Sequence, residues 1–110
     1  MKPVEAGKLR RQVTIQSEQR SPDGYGGYTK TWQDVCTVWA SIEPLTGSEL
    51  FAAMQNESEI RYKIRIRYRN DIQPFMRVVT RDGKAFEIVA VIDVEYAHRV
   101  LELECKELVP

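Results

Sequence analysis

Residues 60–69 read Ile60-Arg61-Tyr62-Lys63-Ile64-Arg65-Ile66-Arg67-Tyr68-Arg69. Apolar and basic side chains alternate at a period of two, the pattern of a strand with one face in a core and the other in water. A helix would spread these cations round its circumference. At ~3.3 Å per residue the run spans about 30 Å, long for a strand in a small domain, so it is expected to bend round a barrel.

Outward from this run the extended signature returns on both sides. Leu9 to Arg20 carries Val13 and Ile15 on one face, and Tyr28 to Ile42 carries Trp32, Val35, Val38 and Trp39 among threonines that favour extended backbone. Met76 to Thr80 and Ala85 to Val94 flank Asp82-Gly83, a pair whose positive φ angles suit a tight hairpin. From Arg99 to Leu108, Leu101, Leu103 and Cys105 alternate with Glu102, Glu104 and Lys106. About six strands joined by short turns make an all-β fold, a mainly antiparallel small barrel or sandwich, with residues 1–110 as a single domain.

Two connections interrupt the strands. Ser21-Pro22-Asp23-Gly24-Tyr25-Gly26-Gly27 is too rich in turn residues for strand or helix and reads as a long mobile hairpin tip. Its glycines do not make a phosphate loop, which needs a following helix and a Lys-Ser/Thr ending. The second interruption runs from Glu43 to Ser58. Thr46-Gly47-Ser48-Glu49 has the form of a capping box, and Leu50-Phe51-Ala52-Ala53-Met54-Gln55 continues with helix formers, so one short helix of two or three turns is expected in a long inter-strand loop. Leu50, Phe51 and Met54 fall close to one face. Such a helix either plugs one end of the barrel or projects as an interaction element.

The chain has 110 residues, enough for one modest core and too few for a second catalytic domain. It has no apolar run of ~18–20 residues for a membrane span, and Met1 to Gly7 lacks the apolar stretch of a signal peptide, so an aqueous, intracellular setting is expected. Cys36 and Cys105 are far apart and form no metal or disulfide framework; a bridge in the fold stays open, but they read as two buried thiols acting as small apolar groups. His98, the only imidazole, stands near a predicted turn with no motif joining it to a nucleophile, and reads as a lone surface histidine. The carboxylates are spread singly along strands, with no acid/base pair and no clustered metal ligands. No catalytic, cofactor-binding or metal site is therefore assigned, and an enzyme is the disfavoured class.

The 16 Lys+Arg and 16 Asp+Glu cancel, which removes the simplest argument for a nucleic-acid or membrane-surface binder. The zero hides opposed blocks: residues 1–22 sum to +3, 23–59 to −5, 60–84 to +6 and 85–110 to −4. Within one chain such blocks suit cross-strand pairs, Arg65 and Arg67 beside Glu102 and Glu104 if those strands are neighbours. Between chains they suit a head-to-tail contact that closes a ring. The ladder of Arg61, Lys63, Arg65, Arg67 and Arg69 with Tyr62 and Tyr68 raises the alternative of a small OB-like barrel binding single-stranded nucleic acid. Alternation opposes it, because stacking platforms and cations would occupy opposite faces.

The ordered series Ala6-Gly7-Lys8-Leu9-Arg10, Val13-Thr14-Ile15-Gln16, Gly26-Gly27 before Thr31-Trp32, Val38-Trp39-Ala40-Ser41-Ile42, Gly47-Ser48-Glu49, Ile64-Arg65-Ile66-Arg67-Tyr68 and Met76-Arg77 resembles the head–tail joining proteins of tailed bacteriophages, also called head-closure or stopper proteins. The resemblance covers about Ala6 to Glu107. It implies a structural β-barrel of the virion, without cofactor or catalysis, present in the host cytoplasm during assembly. It implies a homo-oligomeric ring, dodecamer or hexamer, with a monomer when isolated also allowed. The ring would sit below the portal and adaptor, extend or close the double-stranded DNA channel without reading sequence, and offer the tail its attachment surface; another tail-completion or adaptor role is the alternative. The loop that closes the channel in the family's best-known stopper corresponds here to Glu43 to Ser58. Candidate contacts to neighbouring rings or copies are Asp23 and Tyr25 in the Gly-rich tip, Glu49, Leu50, Phe51 and Met54 in the helix, and the cations Arg61, Lys63, Arg65 and Arg67.

Overall fold

In the computed structural model, which describes residues 9–109, the alternating run becomes a strand with Ile64 and Ile66 fully buried. That strand covers only Tyr62–Arg67, six residues rather than ten. Its ends are claimed by local bonds: the Arg61 guanidinium folds back onto the carbonyls of Ser58 (2.6 Å) and Ile60 (2.8 Å), and Arg69 turns to Asp71 (2.8 Å).

Six strands, β1 (Arg11–Pro22), β2 (Tyr28–Pro44), β3 (Tyr62–Arg67), β4 (Arg77–Thr80), β5 (Ala85–Asp93) and β6 (Val100–Leu108), form a closed barrel in the order β1-β2-β3-β6-β5-β4. Every pairing is antiparallel, including the closing pair of β1 with β4. Closure leaves the barrel itself no free edge. Inside, Val13, Ile15, Ile64, Ile66, Ile88 and Leu103 are at most 1% exposed, and each such side chain stabilises the fold by roughly 1.5–3 kcal/mol. The barrel is a packed core, as small barrels are, and not a pore.

β1 and β2 run on beyond it. β1 pairs with β4 only from Val13 to Gln16, and β2 with β3 only from Ala40 to Pro44, whereas the β1–β2 ladder continues to Pro22 opposite Tyr28. Residues 17–22 and 28–34 thus form a two-stranded arm, ~20 Å long at the rise of a strand. The tip is residues 23–27, shorter than the seven-residue loop expected. A bulge marks the arm's root: Ile15 faces Cys36 but Gln16 faces Asp34, leaving Val35 unpaired, and such an extra residue sharpens twist. The arm stretches the molecule to 52 Å and raises its radius of gyration to 15.2 Å, against ~13 Å for a compact domain of this size.

A helix α1 (Gly47–Gln55) stands between β2 and β3, as expected, but the capping box does not form. Thr46 occupies the N-cap with extended backbone and makes no side-chain cap bond, while Glu49 bonds Lys63 at 2.7 Å. A full cation one strand away outcompetes a backbone N–H for that carboxylate. The helix has no buried residue, so it does not plug the barrel. That end is closed by buried Leu45 and by Tyr62, whose ring meets Phe86 edge-on at 5.0 Å. In the β4–β5 turn only Gly83 takes positive φ (90°), and Thr80 donates its N–H to Lys84 at 2.9 Å, a three-residue loop rather than the two-residue hairpin.

Candidate partner-binding surfaces

The basic ladder and the acidic final strand lie side by side. The β3–β6 register sets Arg65 opposite Glu102 and Lys63 opposite Glu104. Arg65 reaches Glu102 at 3.0 Å and Lys63 lies 3.7 Å from the same carboxylate. The strands are neighbours and Arg65 pairs with Glu102 as expected, but Arg67 faces Val100 and takes no carboxylate of β6. Lys106 joins Glu59 (3.1 Å) and Glu87 (3.2 Å). The bond to Glu49, desolvation partly opposing it, holds the Lys63 ammonium above its ordinary pKa. Of the cations named from the sequence, Arg61, Lys63 and Arg65 are engaged within the chain and Arg67 stands exposed without an ion pair among the described residues. Carboxylates thus neutralise Lys63 and Arg65 within the chain, which interrupts the ladder as a continuous row of phosphate contacts.

The helix meets this wall through Glu49. Leu50 is half-buried in a pocket of about 480 Å³ with Pro44, Leu45 and Tyr62, whereas Phe51 (64%) and Met54 (58%) are exposed. Asp23 and Tyr25 lie far off at the arm tip. There the Asp23 carboxylate accepts the N–H groups of Tyr25 (2.7 Å) and Gly27 (3.0 Å), an Asx-type clamp that lets Gly24 and Gly26 take φ near 85°. Asp23 shapes the tip; Tyr25, 94% exposed, is the side chain offered to a partner.

Long-range contacts add features that the sequence pattern does not show. At the arm's root Arg77 stacks 4.1 Å over the Trp32 ring and donates to Gln16 (2.7 Å), whose amide donates to Asp34 (2.8 Å). Beside it lies a groove of about 750 Å³ between arm and barrel, walled by Trp32, Phe75 and Leu108. Across the molecule, His98 is a surface residue, as expected, but not a lone one. Its ring bonds Asp93 and sits between Tyr68 and Tyr96, centroids 4.8 Å from each. Glu95, Tyr96 and His98 all have φ of 54–57°, a strained turn held by the Asp93 carboxylate, which also accepts the His98 N–H at 3.0 Å. Among the described residues no nucleophile bonds this pair to complete a catalytic group.

Both cysteines are free. Cys105 is buried, and desolvation pushes its thiol up to about 12; Cys36 is only half-buried, its thiol raised by the same cause and drawn back by Arg69.

Comparison with known proteins gives these surfaces a context. The head completion protein gp16 of Bacillus phage SPP1 is 30% identical over 95 residues, 86% of this chain and 87% of that protein. The solution structure of protein SF1141 from Shigella flexneri 2a superposes with a TM-score of 0.72 at 29% identity, covering 94% of this chain and 96% of that one. A chain in the virion of a native gene transfer agent shares the fold, with a TM-score of 0.61 at 20% identity over 92% of this chain and 96% of its own. The sequence profile of the phage head completion proteins matches residues 4–108, so the chain belongs to that family.

Proposed function

We propose that this protein is a structural component of a phage virion, assembled between head and tail, where several copies form a ring beneath the portal and adaptor, continue the DNA channel and present the surface on which the tail docks. The whole-length family match carries the reading. The packed interior supports its oligomeric part: Ile15, Ile64, Ile66 and Leu103 fill the barrel, so DNA has no route through one copy and must pass between copies. Closed point-group rings are how small subunits ordinarily build such a passage. The arm tip and α1 are the two projecting elements available to the rings above and below. On the β3–β6 wall carboxylates hold Lys63 and Arg65, which lowers the positive charge available to grip phosphates and suits a conduit through which DNA slides.

The decisive experiment is reconstitution. Purified chain is added to portal–adaptor complexes and the mass of the product gives the number of copies bound. Several copies per complex, and filled heads that leak DNA when the protein is omitted, are expected. Failure to bind, or heads that retain DNA without it, overturns the reading.

A further inference from the structure

Alternation sets the cations of β3 and its tyrosines on opposite faces, and both tyrosine rings are occupied: Tyr62 packs edge-on against Phe86, and Tyr68 lies against the His98 ring. A different strand brings an aromatic ring to the cations' side. Ala40 of β2 is buried opposite buried Ile66 of β3, so one step further on, Trp39 and Arg67 both turn outward and stand level. On the other flank Trp39 lies opposite Gln12 of β1, and the pairing of Val13 with Thr80 puts Gln12 level with Arg81. Arg67, Trp39, Gln12 and Arg81 thus make one row across the outside of the barrel, ~14 Å from end to end at the spacing of neighbouring strands. A shallow pocket of about 400 Å³ joins Trp39 and Arg81 to Arg11. Trp39 is 54% exposed; Trp32 has Arg77 stacked on it, but no cation or ring of the described residues covers Trp39. Arg11, Arg67 and Arg81 are exposed and make no ion pair among the described residues, whereas Arg10, in the same pocket, is already engaged. The pocket's own carboxylate is Asp82, which accepts a hydrogen bond from Thr80. Beyond the pocket, Glu102 is held by Lys63 and Arg65, and Glu43 stands ~13 Å further along β2 at the rise of a strand.

We propose that this face binds single-stranded nucleic acid, one base stacking on Trp39 while Arg67, Arg81 and Arg11 hold the phosphates around it. Charge complementarity selects the ligand. Three free cations surround an uncovered ring, and a nucleic-acid strand repeats a flat base beside each negative phosphate, the matching pair of features. A duplex keeps its base faces stacked on one another, so it would engage the cations and leave Trp39 without a role. An acidic peptide would match the charges and bring no base to the ring. Stacking on an aromatic side chain is tolerant of sequence, so no base preference is expected. The chain's zero net charge adds no long-range attraction, so affinity is modest, on the order of 10–100 μM at low salt. The site belongs to a single copy of the chain, goes beyond the ring reading and does not depend on it.

The test follows the fluorescence anisotropy of a labelled oligothymidine of about 20 nucleotides as protein is added, from ~20 mM to ~0.2 M salt. Wild type is expected to bind, with log affinity falling against log salt at a slope near about −2, since each phosphate contact to a single strand contributes about 0.7. Arg67→Ala with Arg81→Ala is expected to weaken binding at least about tenfold and to flatten that slope by about 1.4. Trp39→Ala is expected to weaken it at least about fivefold with the slope unchanged, and Trp39→Phe to recover most of the loss. Arg20→Ala with Lys30→Ala, an equal loss of charge on the arm, is expected to leave affinity within about twofold of wild type, and an abasic strand of the same length to bind wild type and Trp39→Ala alike. Thermal unfolding checks that every variant is folded. No anisotropy change at about 0.5 mM protein and low salt overturns the inference, because non-specific strands otherwise bind well below that concentration. Binding that Trp39→Ala leaves intact, tighter binding of a duplex of the same length, or equal Trp39-dependent binding of polyglutamate overturns it too. Each of these results is compatible with full loading onto portal–adaptor complexes, so the site can fall while the ring reading stands; if wild type binds the strand but loads only one copy, the ring reading falls and the site stands.

Discussion

Cys105 is a titratable residue cut off from water. It stands at 0% exposure in the last strand, among the core isoleucines, and burial holds its thiol neutral up to about pH 12. In the unfolded chain a cysteine ionises near ~8.5. The folded pKa of this acid is raised, so below ~8.5 both states keep the proton and nothing is lost. Above it the unfolded chain sheds a proton that the folded chain retains, and stability falls by up to ~1.4 kcal/mol per pH unit. Urea unfolding in reductant is expected to show a decline of about 2 kcal/mol between pH 8 and 10. The Cys36→Ala background keeps the other thiol out of the measurement. Adding Cys105→Ala flattens that slope, whatever its effect on absolute stability at pH 7; an unchanged slope contradicts the assignment. Amines do not confuse the window, because the raised Lys63 contributes stability that is complete below its unfolded value of ~10.4 and fades only above it.

At the scale of elements, what was legible in the sequence was whatever one strand can say about itself. Alternation at Ile64 and Ile66, and at Leu101, Leu103 and Cys105, located β3 and β6 and named the buried face, because side chains on a strand obey a period of two regardless of neighbours. Partner-dependent features were legible only in part. The pairing of Arg65 with Glu102 was expected on the condition that the two strands are neighbours, which they are, but the capture of Glu49 by Lys63 was not, so the block charges that looked available for a partner are partly neutralised at home. A surface pocket lined by Arg11, Trp39 and Arg81 was missed because its members come from the start of β1, from β2 and from the β4–β5 turn, with no local motif linking them. The same competition decides how α1 begins. A working Thr N-cap is worth ~1 kcal/mol and its loss to Ala is readily measured. Thr46 makes no such bond, so Thr46→Ala is expected to change unfolding free energy by less than ~0.5 kcal/mol, the range of an ordinary surface substitution. A loss of a full kcal/mol would show that the capping box forms in solution.

For the whole molecule, the division between barrel and arm separates what folds the chain from what the chain offers to others. Among the described residues, none of the buried core side chains lies between positions 17 and 34, and the partly buried residues packed on that core begin again at Val35. A projecting two-stranded ribbon is at best marginally stable by itself, and here it is tied down at its root by the Arg77, Trp32, Gln16 and Asp34 contacts. The barrel gains little from residues beyond that root. Replacing residues 17–33 by Asn-Gly, a two-residue turn suited to joining Gln16 to Asp34 as a hairpin, is therefore expected to leave a folded barrel. Its melting temperature should stay within several degrees of wild type, since the Trp32 stacking is the main contact removed and each kcal/mol shifts a domain of this size by ~4–8 °C. Small-angle scattering should show the radius of gyration contracting from near 15.2 Å toward the ~13 Å of a compact domain. Loading onto portal–adaptor complexes should fail for the shortened chain. An unfolded product would show that the arm is part of the folding unit, and a shortened chain that still loads at full copy number would remove the arm from the list of inter-ring contacts.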